Sequence, residues 1–349
     1  MKADSSSISD KVAQALKSTE GQKRIANLIE DARLVLDREV AIKALGKTIR
    51  ARPGLRFYLN VGMARAANND VTVSVRFKGL EIGKVKIDSD GHRTFIWPDS
   101  KALSSVYERW GMPCEDGHVL EWRDPSVSKL CKRLVSDWNE LSDHVHVSEE
   151  HEIESVMIRE LSSTGTRKSN TFKGIKPVMV GGYPFQFGIP LSPSGGEVLL
   201  SKPRTRGHID ILARGNVGGQ TSLMALELKR PGHPGEALFQ AFVYACGLHY
   251  VLKNSTSDAN TFMRHFGFKR SWPLLICAVA VVHVDDIATV KREMGRISND
   301  PLVMNDNIMP GIIGYRYVQG RLTLEERQWT LDGYPPKHDS AATGSAMSA

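Results

Sequence analysis

From Asp10 onward, apolar side chains return at helical spacing, at Val12, Leu16, Ile25, Leu28, Ile29, Leu34 and Leu36, with charged residues between them. Positions three and four apart share one face of a helix. The pattern therefore predicts one or two helices reaching to about Gly46, broken near Gly21. The rhythm then shortens. Segments 57–61, 71–75, 82–87 and 94–97 are rich in Val, Ile, Phe and Tyr and are separated by Gly and Asn/Asp turns, which predicts a small antiparallel meander. A helix over about 126–141, with Leu130, Leu134, Val135 and Trp138 on one side, closes a first α+β domain assigned to 10–147.

The polar run 143–150 marks the boundary to a second domain, 148–334. There the order is a helix carrying Ile153, Val156, Met157, Ile158 and Leu161, an apolar stretch over 183–191, and strands over 209–213 and 223–228. A helix over about 236–252 and a fully apolar strand over 274–284 follow. Strands without alternation are covered on both faces. This half reads as an α/β unit, expected to fold by itself from about Ser148. Residues 1–9 and 335–349 are rich in Ser, Ala, Gly and Pro and poor in large apolar side chains, so both ends are expected to be disordered.

Composition narrows the function classes. With 349 residues, 41% hydrophobic and 24% charged, the chain is large enough for two cores. A bilayer crossing needs about 20 nearly uncharged residues, and the longest apolar run, 272–284, stops at Asp285 and Asp286, so no membrane partner is expected. The start lacks the apolar core of a secretory signal, which predicts a cytoplasmic protein. Cys114, Cys131, Cys246 and Cys277 form no CxxC pair and are read as thiols, not as a disulfide framework or zinc knuckle. His144, His146 and His151 lack the spacing of a known zinc site. A net charge of +7 tilts the expected partner towards a polyanion. Arg65, Arg76, Lys78, Lys84, Lys86 and Arg93 accompany the meander, either as a DNA-contacting surface or as a solvated side.

The chemistry concentrates in two strands. Gly207-His208-Ile209-Asp210-Ile211-Leu212 is followed, after a Gly-rich turn, by Ala225-Leu226-Glu227-Leu228-Lys229-Arg230. Alternation puts Glu227 and Lys229 on one face and Leu226 and Leu228 on the other. If the two strands form a hairpin, Asp210 reaches the face of Glu227. Two carboxylates and a backbone carbonyl make an all-oxygen site suited to Mg2+ or Mn2+, and an ammonium beside them orients an attacking water or stabilises charge on a phosphate. The plainer reading is a structural ion pair on an edge strand. No GxGxxG or GxxxxGK phosphate loop is present.

Taken together, these residues resemble the PD-(D/E)xK nuclease superfamily. Asp210 matches its first acidic position, Glu227-Leu228-Lys229 its (D/E)xK triplet, and Gln240 and Tyr244 the QxxxY element of its exonuclease-like branch. Ile209 stands where the family has Pro, a residue that ligates nothing. The resemblance covers about 150–284 and implies a restriction-endonuclease-like core of helix, three strands, helix and strand. It further implies Mg2+ or Mn2+ held by Asp210, Glu227 and the Leu228 carbonyl, with Lys229 serving the attacking water and Gln240 and Tyr244 lining the site or touching DNA. A Glu on the first core helix often completes such a site, and Glu154 is the first choice for it, Glu160 the second. Lys202, Arg204, Arg206 and Arg230 flank the acidic strands as phosphate clamps or as a solvated rim, and His233 lies just past the triplet, where it touches substrate or is simply a loop residue.

The function so implied is a divalent-metal-dependent nuclease acting on nucleic acid, DNA before RNA, in restriction, defence or repair, with a homodimer admitted and the first domain as a recognition module. The alternative is a non-catalytic nucleic-acid-binding or assembly protein on the same scaffold.

Overall fold

A computed structural model describes residues 6–45, 55–61, 70–98, 100–112, 119–144, 148–162, 174–201, 207–217, 220–255, 263, 266, 268, 274–305, 307–318 and 320–329. The fold is mixed α/β. It opens on helices α1 (Ile8–Lys17), α2 (Thr19–Asp37) and α3 (Glu39–Lys43). Ser7, inside the stretch expected to be disordered, is instead an N-cap: its side chain accepts from the Asp10 N–H, and Ser9 is buried. The break between α1 and α2 falls at Ser18, whose side chain accepts from the Gly21 N–H. Gly21 itself is inside α2, because a Cβ there would meet the Ala15 carbonyl at 2.4 Å.

The expected meander is present as β1 (Leu55–Val61), β2 (Val71–Phe77), β3 (Leu80–Ile87) and β4 (Arg93–Ile96), followed by α4 (Lys101–Arg109), β5 (Val119–Glu121), α5 (Pro125–Ser136) and α6 (Trp138–His144). The single helix expected over 126–141 is thus two, interrupted at Asp137. Then come α7 (Glu149–Ser162), β6 (Lys176–Pro177), β7 (Met179–Val180), β8 (Tyr183–Ile189), β9 (Leu191–Ser194), β10 (Glu197–Leu200), β11 (Gly207–His208), β12 (Ile211–Val217) and β13 (Gln220–Leu228). The chain continues through α8 (Ala237–Asn254), β14 (Ile276–His283), α9 (Ile287–Ile297), α10 (Pro301–Met304), β15 (Ile308–Val318) and β16 (Arg321–Trp329).

These strands form two large sheets, and the division at 147/148 does not separate them. The first sheet runs β11-β8-β1-β2-β3-β4-β5, so the meander is joined to strands from the second half through a parallel pairing of β1 with β8, Leu59 opposite Phe185. The second runs β16-β15-β14-β13-β12-β6. Its middle is parallel (β13, β14, β15) and its flanks are antiparallel. Two cores exist, but the second sheet divides them, not the chain. The larger unites Leu16 of α1, Val75 of the meander, Phe242 of α8 and Ala225 of β13. The smaller lies on the opposite face, where Ile153 and Met157 of α7 meet Leu226, Leu228, Val279 and Tyr58.

Further ties cross the expected boundary. The turn between β2 and β3 has positive φ at both Lys78 and Gly79, the conformation of a two-residue hairpin that follows the strand twist. A Cβ at Gly79 would meet the His151 backbone at 2.7 Å, so the hairpin tip lies against α7. At the other end the Ser9 N–H donates to Asp300 Oδ2 at 2.9 Å. Cys131, Cys246 and Cys277 are buried thiols outside any disulfide. Among the described residues no helix is long and apolar enough to cross a membrane.

Candidate active site

The acidic strands do pair as a hairpin. Ile211 lies opposite Leu226, so Asp210 and Glu227 are the next residues along the two strands at its open end. In β13 every residue from Ser222 to Leu228 is buried. Leu226 and Leu228 join the smaller core and Ala225 the larger one, and Glu227, of the same parity as Ala225, is 6% exposed on the α8 side. β13 is parallel to β14, and Glu227 and Lys229 sit at its carboxyl end, where crevices open in α/β sheets.

Lys229 Nζ donates to Glu227 Oε1 at 2.8 Å and stands 3.8 Å from Glu150 Oε1. The Lys229 N–H continues the ladder to the Val281 carbonyl, and the Lys229 carbonyl accepts from the Tyr315 hydroxyl at 2.7 Å. The strand exit is therefore held on both sides. Asp210 Oδ2 accepts from the Leu228 N–H at 2.8 Å, which locks the two motif strands together. Glu154, on α7, accepts from Gln186 Nε2 at 2.9 Å, and its other oxygen lies 3.6 Å from an Arg76 Nη of β2.

The carboxylates are crowded. Burial and the neighbouring Asp210 push Glu227 well above the usual Glu range against the pull of Lys229. Burial raises Asp210 to about 6, opposed by Lys229 and the Leu228 N–H and reinforced by Glu150. Burial also raises Glu154 to about 8, opposed by Arg76 and reinforced by Asp210 and Glu150. For Lys229, burial favours the neutral form, but Glu227 and Asp210 outweigh it and the pKa rises. Glu227 Oε2 is buried without a hydrogen-bond partner. A site with more buried negative charge than cations, and with an unsatisfied carboxylate oxygen, calls for positive charge.

Helix α8 brings the other predicted residues. Burial, then Glu227 and Asp210, raise the pKa of Tyr244, which is 6% exposed and so lies beside the acids. Gln240, one turn earlier, has a buried Oε1 without a partner. The site thus assembles Asp210, Glu227, Lys229, Glu154 and Tyr244, with Gln240 on the same helix. Glu160 is ion-paired with Arg159 at 3.0 Å, so Glu154 is the glutamate of the first core helix that joins the cluster. Arg230 and His233 are exposed just past β13, in a loop tied down by the Gly232 N–H to Asp286 Oδ2. Lys202, Arg204 and Arg206 lie outside the described residues, as does His146.

Three participants, Glu150, Gln186 and Tyr315, escaped sequence reading, and Arg76 was named only among the basic residues of the meander. Glu150 belonged to the presumed linker, although it precedes Glu154 by one helical turn. Gln186 is a lone polar residue in the apolar strand YPFQFGI, a signal that was available. Arg76 and Tyr315 occupy strand positions where a polar group needs no special cause.

Among the described residues no group of three or more His, Cys, Asp or Glu side chains is arranged to hold a metal ion. The donor set that fits a divalent cation is smaller: the Asp210 and Glu227 carboxylates with the Leu228 carbonyl, where the orphaned Glu227 Oε2 would gain a partner. Both Glu154 oxygens already face Gln186 and Arg76. No protein-family model, no curated protein and no solved structure matches the chain.

Proposed function

We propose that this protein is a divalent-metal-dependent nuclease that hydrolyses phosphodiester bonds, in DNA before RNA, in restriction, defence or repair. The observation that carries the reading is the convergence of Asp210, Glu227 and Lys229 at the buried open end of one hairpin, with Tyr244 of α8 beside them. Around the second sheet α7 is followed by β6, β12 and β13 and then by α8 and β14, which supports the reading, but the core strand expected over 183–191 is β8, which pairs with β1 in the first sheet instead. Asp210, Glu227 and the Leu228 carbonyl would hold Mg2+ or Mn2+. Bound there, the ion would supply Lewis-acid polarisation and neutralise the carboxylates. Lys229, kept charged by Glu227 and Asp210, presents a proton-bearing cation where negative charge grows on the phosphate. The Gln240 amide and the Tyr244 hydroxyl position the substrate from α8, and the Tyr315 hydroxyl holds the strand end that carries Lys229.

The test is incubation of the full-length protein with linear and circular DNA in Mg2+, Mn2+ or EDTA. Cleavage that needs the ion and is lost in Lys229→Met supports the reading. A second reading, a nucleic-acid-binding scaffold without catalysis, draws on the absence of a three-carboxylate metal group among the described residues. It takes over if wild-type protein binds but never cuts DNA or RNA.

A further inference from the structure

We infer that Arg56 and Arg76 form a guanidinium clamp for a backbone phosphate of the nucleic acid next to the acid cluster, an inference that rests on the nuclease reading for the identity of its ligand. Arg56 of β1 lies directly opposite Arg76 of β2 in the sheet register. Residues so paired have Cβ atoms about 5 Å apart, and like charges in that relation destabilise a sheet. Arg56 gains little in return within the fold. It is half-buried, its guanidinium donates to the carbonyl of its own neighbour Leu55 at 2.9 Å, and a second like charge, Arg159 of α7, acts on it. Burial, and then Arg159, hold its pKa below the usual Arg range against the opposing influence of Tyr58.

Arg76 is rigid but not used up. Its guanidinium stacks 4.3 Å from the centre of the Tyr58 ring, which is fully buried. Its 3.6 Å approach to Glu154 exceeds hydrogen-bond length, so the ion pair leaves N–H donors uncommitted. The side chain keeps 16% exposure. Glu154 balances one of the two charges, and Glu81, opposite Arg76 in β3, is taken up by the Ser74 hydroxyl and Lys84. Planar guanidinium forks match phosphate oxygens in pairs, and the other cation of the cluster, Lys229, is engaged with Glu227. Arg76 acts on both Glu154 and Asp210, so a phosphate held by the pair lies beside the carboxylates. The first sheet thus brings a pair of guanidinium groups to the edge of the acid cluster.

The probe is a fluorescein-labelled DNA duplex of about 20 base pairs, bound to the full chain in EDTA and titrated by anisotropy from about 50 to 200 mM salt. Arg56→Met and Arg76→Met are each expected to lower the slope of log K against log salt by about 0.9 and to weaken binding roughly tenfold. Arg56→Lys and Arg76→Lys keep the slope. Arg56→Met is expected to melt no lower than wild type, since it removes a like-charge pair, so it carries the decision if Arg76→Met does not fold. Superimposed slopes for wild type and Arg56→Met overturn the clamp, as does failure of wild type to bind duplex DNA, single-stranded DNA or RNA. If wild type cuts DNA with unchanged slopes in the variants, the clamp alone falls. If the slopes change while wild type cuts nothing, the clamp stands and the nuclease reading falls.

Discussion

The two sheets solve opposite problems. In the meander Phe57, Leu59, Val73 and Val75 face the larger core, while on the other face Arg56, Thr72 and Arg76 keep partial exposure beside the buried Tyr58 and Ser74. In the second sheet β13 and β14 are buried along nearly their whole length. A charge in the first kind of sheet is ordinary, because part of one face meets water. A charge in the second kind costs several kcal/mol unless it is paired, so Glu227 stands out at once. The same chemistry is therefore conspicuous in one sheet and camouflaged in the other, and the site draws on both.

The sharpest break of that comparison is truncation. A chain starting near Ser148 would leave β8 without its partner β1 and strip α1 from α8, so it is expected not to fold, as read by circular dichroism and by the loss of a cooperative melt. A cooperative transition in that fragment would restore the second half as an independent unit.

Next in size are Asp210→Asn and Glu227→Gln. Each should lower cleavage on the order of 10³-fold and weaken Mn2+ binding in calorimetry. Without metal, these carboxyls also set a pH dependence. Asp210 and Glu154 titrate at about 6 and about 8 in the folded chain, above their usual 3.8 and 4.5. The folded state thus binds protons more tightly than the unfolded one. This stability is fully present below about pH 4 and is lost as pH rises through 6 and then 8. The urea midpoint of metal-free protein should be lower at pH 8 than at pH 5, and Glu227→Gln should flatten the difference. Equal midpoints in wild type would show that the acids are not crowded.

Lys229→Met ranks below these. It withdraws the partner of a buried carboxylate, so a metal-free loss of about 1–3 kcal/mol is expected, recovered in part by Mn2+, while cleavage falls on the order of 10²-fold. Full activity in this variant would leave Lys229 a structural cation. Gln240→Ala is the smallest change: its buried oxygen has no partner to lose, so the melting point should shift little while kcat falls several-fold. A large melting shift with full activity would make Gln240 a packing residue.

How much of this was readable in the sequence follows from the same contrast. Asp210, Glu227 and Lys229 stood out because they interrupt apolar strands, and Gln240 and Tyr244 because one helical turn separates them. Arg56 did not, because alternation hides it, and Arg76 showed only as one of several basic residues of the meander. The boundary at 147/148 failed for a local reason: the end of the polar run 143–150 read as a linker, Glu149 and Glu150, belongs to the first turn of α7, where with Glu152 it favours the positive end of the helix dipole. It failed for a distant reason too, since the pairing of β1 with β8 leaves no local mark. The serines at the start, read as disorder, hold a cap.

The bond between Ser9 and Asp300 carries a consequence for biosynthesis. The same buried aspartate also accepts the Leu302 N–H at the start of α10, so it anchors the first helix and the last one together across 291 positions of sequence. At roughly 5–20 residues per second of synthesis, the amphipathic α1 leaves the ribosome about 15–60 s before its anchor exists. For most of that interval its apolar stripe, Val12 and Leu16, lacks α8, and throughout it the helix lacks Asp300. Nascent chains of this protein should therefore bind hydrophobic-surface chaperones until α10 emerges, and Asp300→Ala should prolong that dependence more than it lowers the activity of the molecules that finish folding.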